Sequence, residues 1–283
     1  MKLIAILFCL AFQRFANISG WFKPLWFITY LKMWDHVLVK LNEKLAILLI
    51  IIPILLLFRL LHFIFMRHFL GLFDLVFSVI VLFFCIDARD LKNQLTPYFS
   101  SMDKHDLHSA ENSVRDFIDD TVIGNVAELP RAISVAILLK SFEQVFVGLF
   151  WFIVFGVYGV STYFLLNLIR QNALTVNPNY IELAKLAAKM QSILEWLPSR
   201  ILGFSYALVG HFNKSVSSCY KNFWSGLQSV KQYVILSGLA SLDANPNRNE
   251  ATTEENRAVL DLINRTLIIW LIVVALIFVR VWL

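Results

Sequence analysis

The side chains best suited to chemistry stand together in Glu195-Trp-Leu-Pro-Ser-Arg200, followed by Tyr206 and by Gly210-His211. A guanidinium presents a planar fork of donors that matches a carboxylate or phosphate group. Arg200 would make that contact, Glu195 would orient it, and Trp196 and Tyr206 would offer stacking surfaces. Glu195, Trp196, Pro198, Arg200, Tyr206 and His211 are therefore the candidate ligand-binding set. A plainer arrangement uses the same residues. Pro198 opens a helix at its first position, Trp196 anchors at the membrane interface, and Arg200 pairs with Glu195. The residues alone leave both readings open.

Two further groupings invite chemistry. Arg59 and Asp74 lie at similar depths on either side of a polar break at Met66-Arg67-His68, so they are expected to form a charge pair across a hairpin. Each alone in hydrocarbon costs roughly 2.5–3.5 kcal/mol on insertion scales. With His62 one turn from Arg59, the same three residues are what a transporter or proton relay would need. His105 and His108, flanked by Asp103 and Asp106, have a spacing that a metal uses on a helix. No further ligand of known position accompanies them, so a solvated loop and no metal site are expected. No Gly-x-x-x-x-Gly-Lys-Ser/Thr phosphate loop occurs in the chain, and no cofactor is expected. Cys9, Cys85 and Cys219 are too few and too scattered for a disulfide framework or a zinc knuckle.

The elements that must position these residues are apolar. Hydrophobic residues make up 58% of the 283-residue chain and charged residues 16%, against roughly 45–50% and 25% in soluble domains. The excess is concentrated in blocks, which predicts an all-α, polytopic membrane protein. About four spans are expected, over 45–65 (with Pro53 inside), 69–86, 145–168 and 266–283. Two apolar stretches, 3–12 and 201–212, are too short to cross; the first reads as a half-inserted or core-facing helix, the second as re-entrant or interfacial and starting after Pro198. Residues 15–44 mix aromatics with lysines, as an interfacial segment does. Gly148, Gly156 and Gly159 in the third span would let helices approach closely and permit a homo-oligomer. Segments 87–140, with Asp119-Asp120 at its centre, and 171–263 are polar, with amphipathic stretches at 180–194 and 222–242 and a flexible tether at 243–257. The whole is expected to form a single membrane domain, 1–283.

A net charge of +5 suits anionic lipid headgroups. No Lys/Arg-rich run or nucleic-acid module is present, so the lipid bilayer, not nucleic acid, is the expected partner. Counting Lys and Arg near the spans places the N-terminus in the cytoplasm.

Leu194-Glu-Trp-Leu-Pro-Ser-Arg200, Gly203, Tyr206-Ala-Leu and Gly210-His211 resemble a segment of the bacterial AmpE proteins. Gly148-Leu-Phe-Trp151 with Ile153, Gly156, Gly159 and Tyr163 resembles a second, and Phe12-Gln-Arg14 the family's start. AmpE is similar in turn to the CobD/CbiB cobalamin-biosynthesis proteins, membrane enzymes implicated in attaching an aminopropanol arm to a corrinoid carboxylate. They share a Trp-x-Pro-x-Arg motif, matched by Trp196, Pro198 and Arg200, and an Asn that Asn167 matches. Where the enzymes carry an acidic, Asn-containing stretch and a Leu-Asp-Ser-Met run, this chain has Lys140-Ser-Phe-Glu-Gln144 and Leu168-Ile-Arg-Gln171. That loss of carboxylates favours the AmpE side. The resemblance implies a multi-pass protein of the bacterial inner membrane, more a sensor or signalling protein than an enzyme. It implies a role in regulating β-lactamase induction, linked to an amidase of cell-wall recycling.

Overall fold

A computed structural model describes residues 2–15, 25–66, 72–86, 91–104, 106–115, 117, 129–224, 226–242 and 253–282. Among them every regular element is helical, and the chain is an all-α polytopic membrane protein. Three helices are long and apolar enough to cross a bilayer: Glu43–Phe63, Leu129–Phe155 and Thr253–Ile277. The chain clusters into two compact units, Met1–Asp87 with Gly148–Glu195, and Ala88–Val147 with Trp196–Leu283.

In the first unit, α1 (Lys2–Phe15) packs on α4 (Leu72–Cys85) through buried Ala5, Ile6 and Cys9. Gln13 is buried beside them, and its amide donates to the carbonyls of Phe83 and Ile86. Phe83 is in the last turn of α4 and Ile86 just follows it, where carbonyls have no partner within the helix. At 14 residues α4 is about 21 Å long, short of the roughly 30 Å hydrocarbon core. The rest of the unit forms around α2 (Leu25–Leu38), α3 (Glu43–Met66), α9 (Val157–Val176) and α10 (Ile181–Val209). Their shared core takes Phe27 and Leu31, Ala46 and Ile50, Leu165, Ile169 and Ala173, then Leu183 and Ala187. Each set recurs every three to four residues, so one face of each helix is buried. The opposite face of α3 exposes Leu48, Ile52, Leu56, Leu60 and Phe63. An apolar face of that length is stable only against lipid.

The run 145–168 is not one helix. A span begins earlier, with α7 (Leu129–Ser141), passes through a π-helical turn (Phe142–Phe146), and ends with α8 (Val147–Phe155). Gly156 then turns the chain at φ 65° and ψ −146°, a region essentially closed to side chains with a Cβ. Lys2 Nζ donates to the Ile153 carbonyl at the end of α8. A Cβ on Gly159 would lie 2.5 Å from the Trp151 carbonyl oxygen, and one on Gly148 2.9 Å from the Ile86 side chain. The glycines thus build a sharp helix–helix corner. The charges that make 129–140 look polar are accommodated: Arg131 pairs with Glu255 at 2.8 Å, and Lys140 lies over the Phe117 ring.

The second unit adds α5 (Leu91–Asp103), α6 (Leu107–Val114), α11 (Phe212–Asn222), α12 (Val230–Ser241) and α13 (Thr253–Trp282). Residues 253–257, expected in the tether, open α13 instead. Glu254 and Glu255 suit the positive end of the helix dipole. Asn256 is buried, donating to Tyr98 Oη at 2.9 Å and accepting from Ser134 Oγ at 2.7 Å. Residues 243–252 lie outside the described residues. Trp270 joins α13 to the unit by donating to Ser205 Oγ at 3.0 Å and packing edge-on to Phe146.

Candidate functional site

The motif helix α10 runs from Ile181 to Val209 without interruption, so Pro198 sits inside it and does not open it. Proline has no N–H for the carbonyl four residues back, here that of Leu194. Trp151 Nε1 donates to that carbonyl at 3.2 Å. A substitute donor of this kind keeps a proline-bearing helix intact at membrane depth.

On the first unit, Glu195 is 2% exposed. Its Oε1 accepts from Tyr163 Oη at 2.9 Å and from Gln191 Nε2 at 2.9 Å. Gln191 Nε2 also reaches Tyr163 Oη at 3.2 Å. A carboxylate out of water needs such donors. Asn167 takes no part in these bonds: its Oδ1 accepts from Arg170 and Gln171 on its own helix, at 3.0 and 3.2 Å.

On the second unit, Arg200 is likewise 2% exposed. Its Nε donates to the Phe223 carbonyl at 2.9 Å, and Nη1 approaches Ser199 Oγ at 3.4 Å. The guanidinium carbon lies 3.9 Å from the centre of the Tyr233 ring and 5.3 Å from that of Trp196. Gly203, one turn on, leaves room for Tyr233: a Cβ there would sit 2.7 Å from Tyr233 Cε1. Phe223 packs edge-on to Trp196. Arg200 therefore fastens the α11–α12 connection and α12 to the motif helix, with its flat faces on aromatic rings. Cys219 is buried next to this cluster, and burial pushes its thiol up, away from the reactive thiolate.

Tyr206 is fully buried beside Ser141, where the π turn begins, and presents no open stacking surface. Such turns are frequent at functional sites; here Glu143 within it meets Lys231 of α12. His211 is exposed at the start of α11, its backbone N–H donating to the Ser241 carbonyl at 2.8 Å. It borders an open cleft of about 390 Å³ with Gly210, Ser241, Asp261 and Arg265.

The hairpin charges are arranged differently from the expected Arg59–Asp74 pair. Asp74 faces His62, Nδ1 to Oδ1 3.5 Å, while Arg59 is exposed. Helix α4 begins only at Leu72, so Asp74 lies in its first turn and is level with His62, one turn from the end of α3. Among the histidine and aspartate residues of the 103–108 grouping, His105 lies outside the described residues, as do Asp119 and Asp120. Asp106 caps α6 by accepting from Ser109 N and Oγ, Asp103 pairs with Arg257 at 3.0 Å, and His108 bonds Asn112. Among the described residues no three His, Cys, Asp or Glu side chains converge for a metal.

Residue types single out Glu195 and Arg200, but not the partners that the structure gives them. Gln191 stands one turn before Glu195, a signal available in the spacing. Tyr233 carries no such signal, because α12 reads only as an amphipathic helix.

The family model described as regulatory signalling modulator protein AmpE matches residues 1–282. Protein AmpE of Shigella flexneri is 24% identical over 201 residues, 68% of this chain and 69% of that one. The cobalamin biosynthesis protein CobD of Chromobacterium violaceum is 29% identical over 146 residues, 51% of this chain and 47% of its own length. The CobD of Stutzerimonas stutzeri is 27% identical over 140 residues, 49% and 46% respectively. The match thus spans about half the length of these CobD relatives. No solved structure matches the chain.

Proposed function

This chain belongs to the AmpE family, and we propose that it is an inner-membrane signalling protein that modulates β-lactamase induction through the cell-wall recycling pathway. The observation that carries the reading is the family match over residues 1–282. The motif geometry supports it: Glu195 and Arg200 are each 2% exposed and bonded to their own unit. Arginine and carboxylate used in this way set helix positions, as a signalling bundle would use them. The test is a bacterium with an inducible β-lactamase whose own copy of this gene is deleted. Expression of the wild-type chain restores the dependence of β-lactamase activity on β-lactam dose. An unchanged dose response with and without the chain overturns the proposal.

A second reading, a membrane ligase in cobalamin biosynthesis, rests on the CobD relatives at 27–29% identity. Growth of a CobD-deficient strain on endogenous cobalamin, restored by this chain, would favour it over signalling.

A further inference from the structure

The open cleft of the second unit has a charge order that the signalling reading does not use. One wall is the C-terminal ends of α10 and α12, held together where Gly210 packs against the Ser241 backbone and His211 N–H bonds the Ser241 carbonyl. The other wall is α13, from which Asp261 and Arg265 line the cleft. Both are exposed, and neither pairs with another charge among the described residues.

Their order along α13 is informative. Placing the edge of the hydrocarbon where the charge-free run of α13 begins, at Thr266, puts Arg265 at that edge. Asp261 is one turn, about 6 Å, further out. Helical side chains lean toward the N-terminus, which carries the Arg265 guanidinium outward into the headgroup layer. Going out from the hydrocarbon, the cleft therefore presents a cation and then an anion. The two helix C-termini on the facing wall add partial negative charge. Below Arg265 on the same face of α13, Ile268 and Ile272 are 56% and 53% exposed. The stripe thus reads anion, cation, then two open apolar residues.

The geometry points to a binding site for a zwitterionic phospholipid bearing a primary ammonium, the chemistry of phosphatidylethanolamine. The phosphate meets the fork of Arg265, whose geometry suits bidentate contact. The ammonium, further from the hydrocarbon in such a lipid, meets Asp261 and the ends of α10 and α12. One acyl chain lies along Ile268 and Ile272. A phosphatidylglycerol headgroup supplies the phosphate without the ammonium, and a phosphatidylcholine headgroup supplies a cation that cannot donate a hydrogen bond.

The full chain, purified in detergent and stripped of lipid, is titrated with phosphatidylethanolamine, phosphatidylglycerol and phosphatidylcholine of identical acyl chains, and bound lipid is counted by native mass spectrometry. Phosphatidylethanolamine binds about tenfold more tightly than the other two, the ratio set by one charge-assisted hydrogen bond. Asp261→Asn lowers it to the phosphatidylglycerol level and leaves phosphatidylglycerol unchanged, whereas Arg265→Gln weakens all three. Both side chains are exposed, so the substitutions leave the fold intact. Equal binding of the three lipids to the wild type, or a preference that survives Asp261→Asn, overturns the site. Soluble phosphoethanolamine competing at the concentrations at which the lipid binds overturns the lipid as its source.

Discussion

The indole N–H of Trp151 donates to the carbonyl of Leu194 at 3.2 Å, the carbonyl that Pro198 leaves without a partner. Two motifs more than forty residues apart are thereby one structural device: the first supplies the donor that the second has lost.

Trp151→Phe keeps an aromatic ring and removes the donor, and is expected to destabilise the protein by about 1–3 kcal/mol, as for a buried polar group left unpaired. Pro198→Ala returns an N–H to the Leu194 carbonyl. In that background the cost of Trp151→Phe falls toward zero in a double-mutant cycle of thermal unfolding in detergent. Equal cost in both backgrounds would sink the idea.

Arg200 and Tyr233 form the corresponding contact on the second unit, guanidinium over ring at 3.9 Å. Arg200→Lys keeps the charge but loses the flat fork, so stability falls by about 1–3 kcal/mol and Lys does not substitute. A lysine variant as stable as wild type would mean that the guanidinium has no packing role.

Blocks of apolar residues identify α3 and the apolar part of α13 from sequence alone, because lipid removes the usual demand for polar faces, whereas the polar first turns of α13 do not stand out. Span boundaries are less legible. Arg131 and Lys140 disguise the start of the second span, since their partners Glu255 and Phe117 are distant in sequence. The break at Gly156 hides within an unbroken apolar run, because hydropathy carries no information on φ. At the motif, Pro198 reads as a helix start until Trp151 is seen to replace its missing bond. Tyr233 is invisible in the sequence because its role comes from tertiary contact alone.

The corner at Gly156 is open to direct test. With φ 65° and ψ −146°, Gly156→Ala is expected to cost about 1–3 kcal/mol in backbone strain. Ala at Val157, one residue on and already helical, serves as the comparison. A thermal midpoint unchanged by Gly156→Ala would show that the corner relaxes.

Acid sensitivity should trace to Asp35. Hydrogen bonds from the Tyr180 hydroxyl and the Asn177 amide hold its carboxyl below the usual carboxylate range. A carboxylate whose folded-state value is depressed stabilises the fold above its unfolded value, about 4, and this contribution fades as pH falls through the lower folded value. Tyr180→Phe removes the leading cause of the depression. The thermal midpoints of wild type and Tyr180→Phe are therefore expected to differ near neutrality and to converge as the pH is lowered past about 4. Parallel profiles down to acid pH would mean that the tyrosine contributes packing only, and that Asp35 ionises alike folded and unfolded.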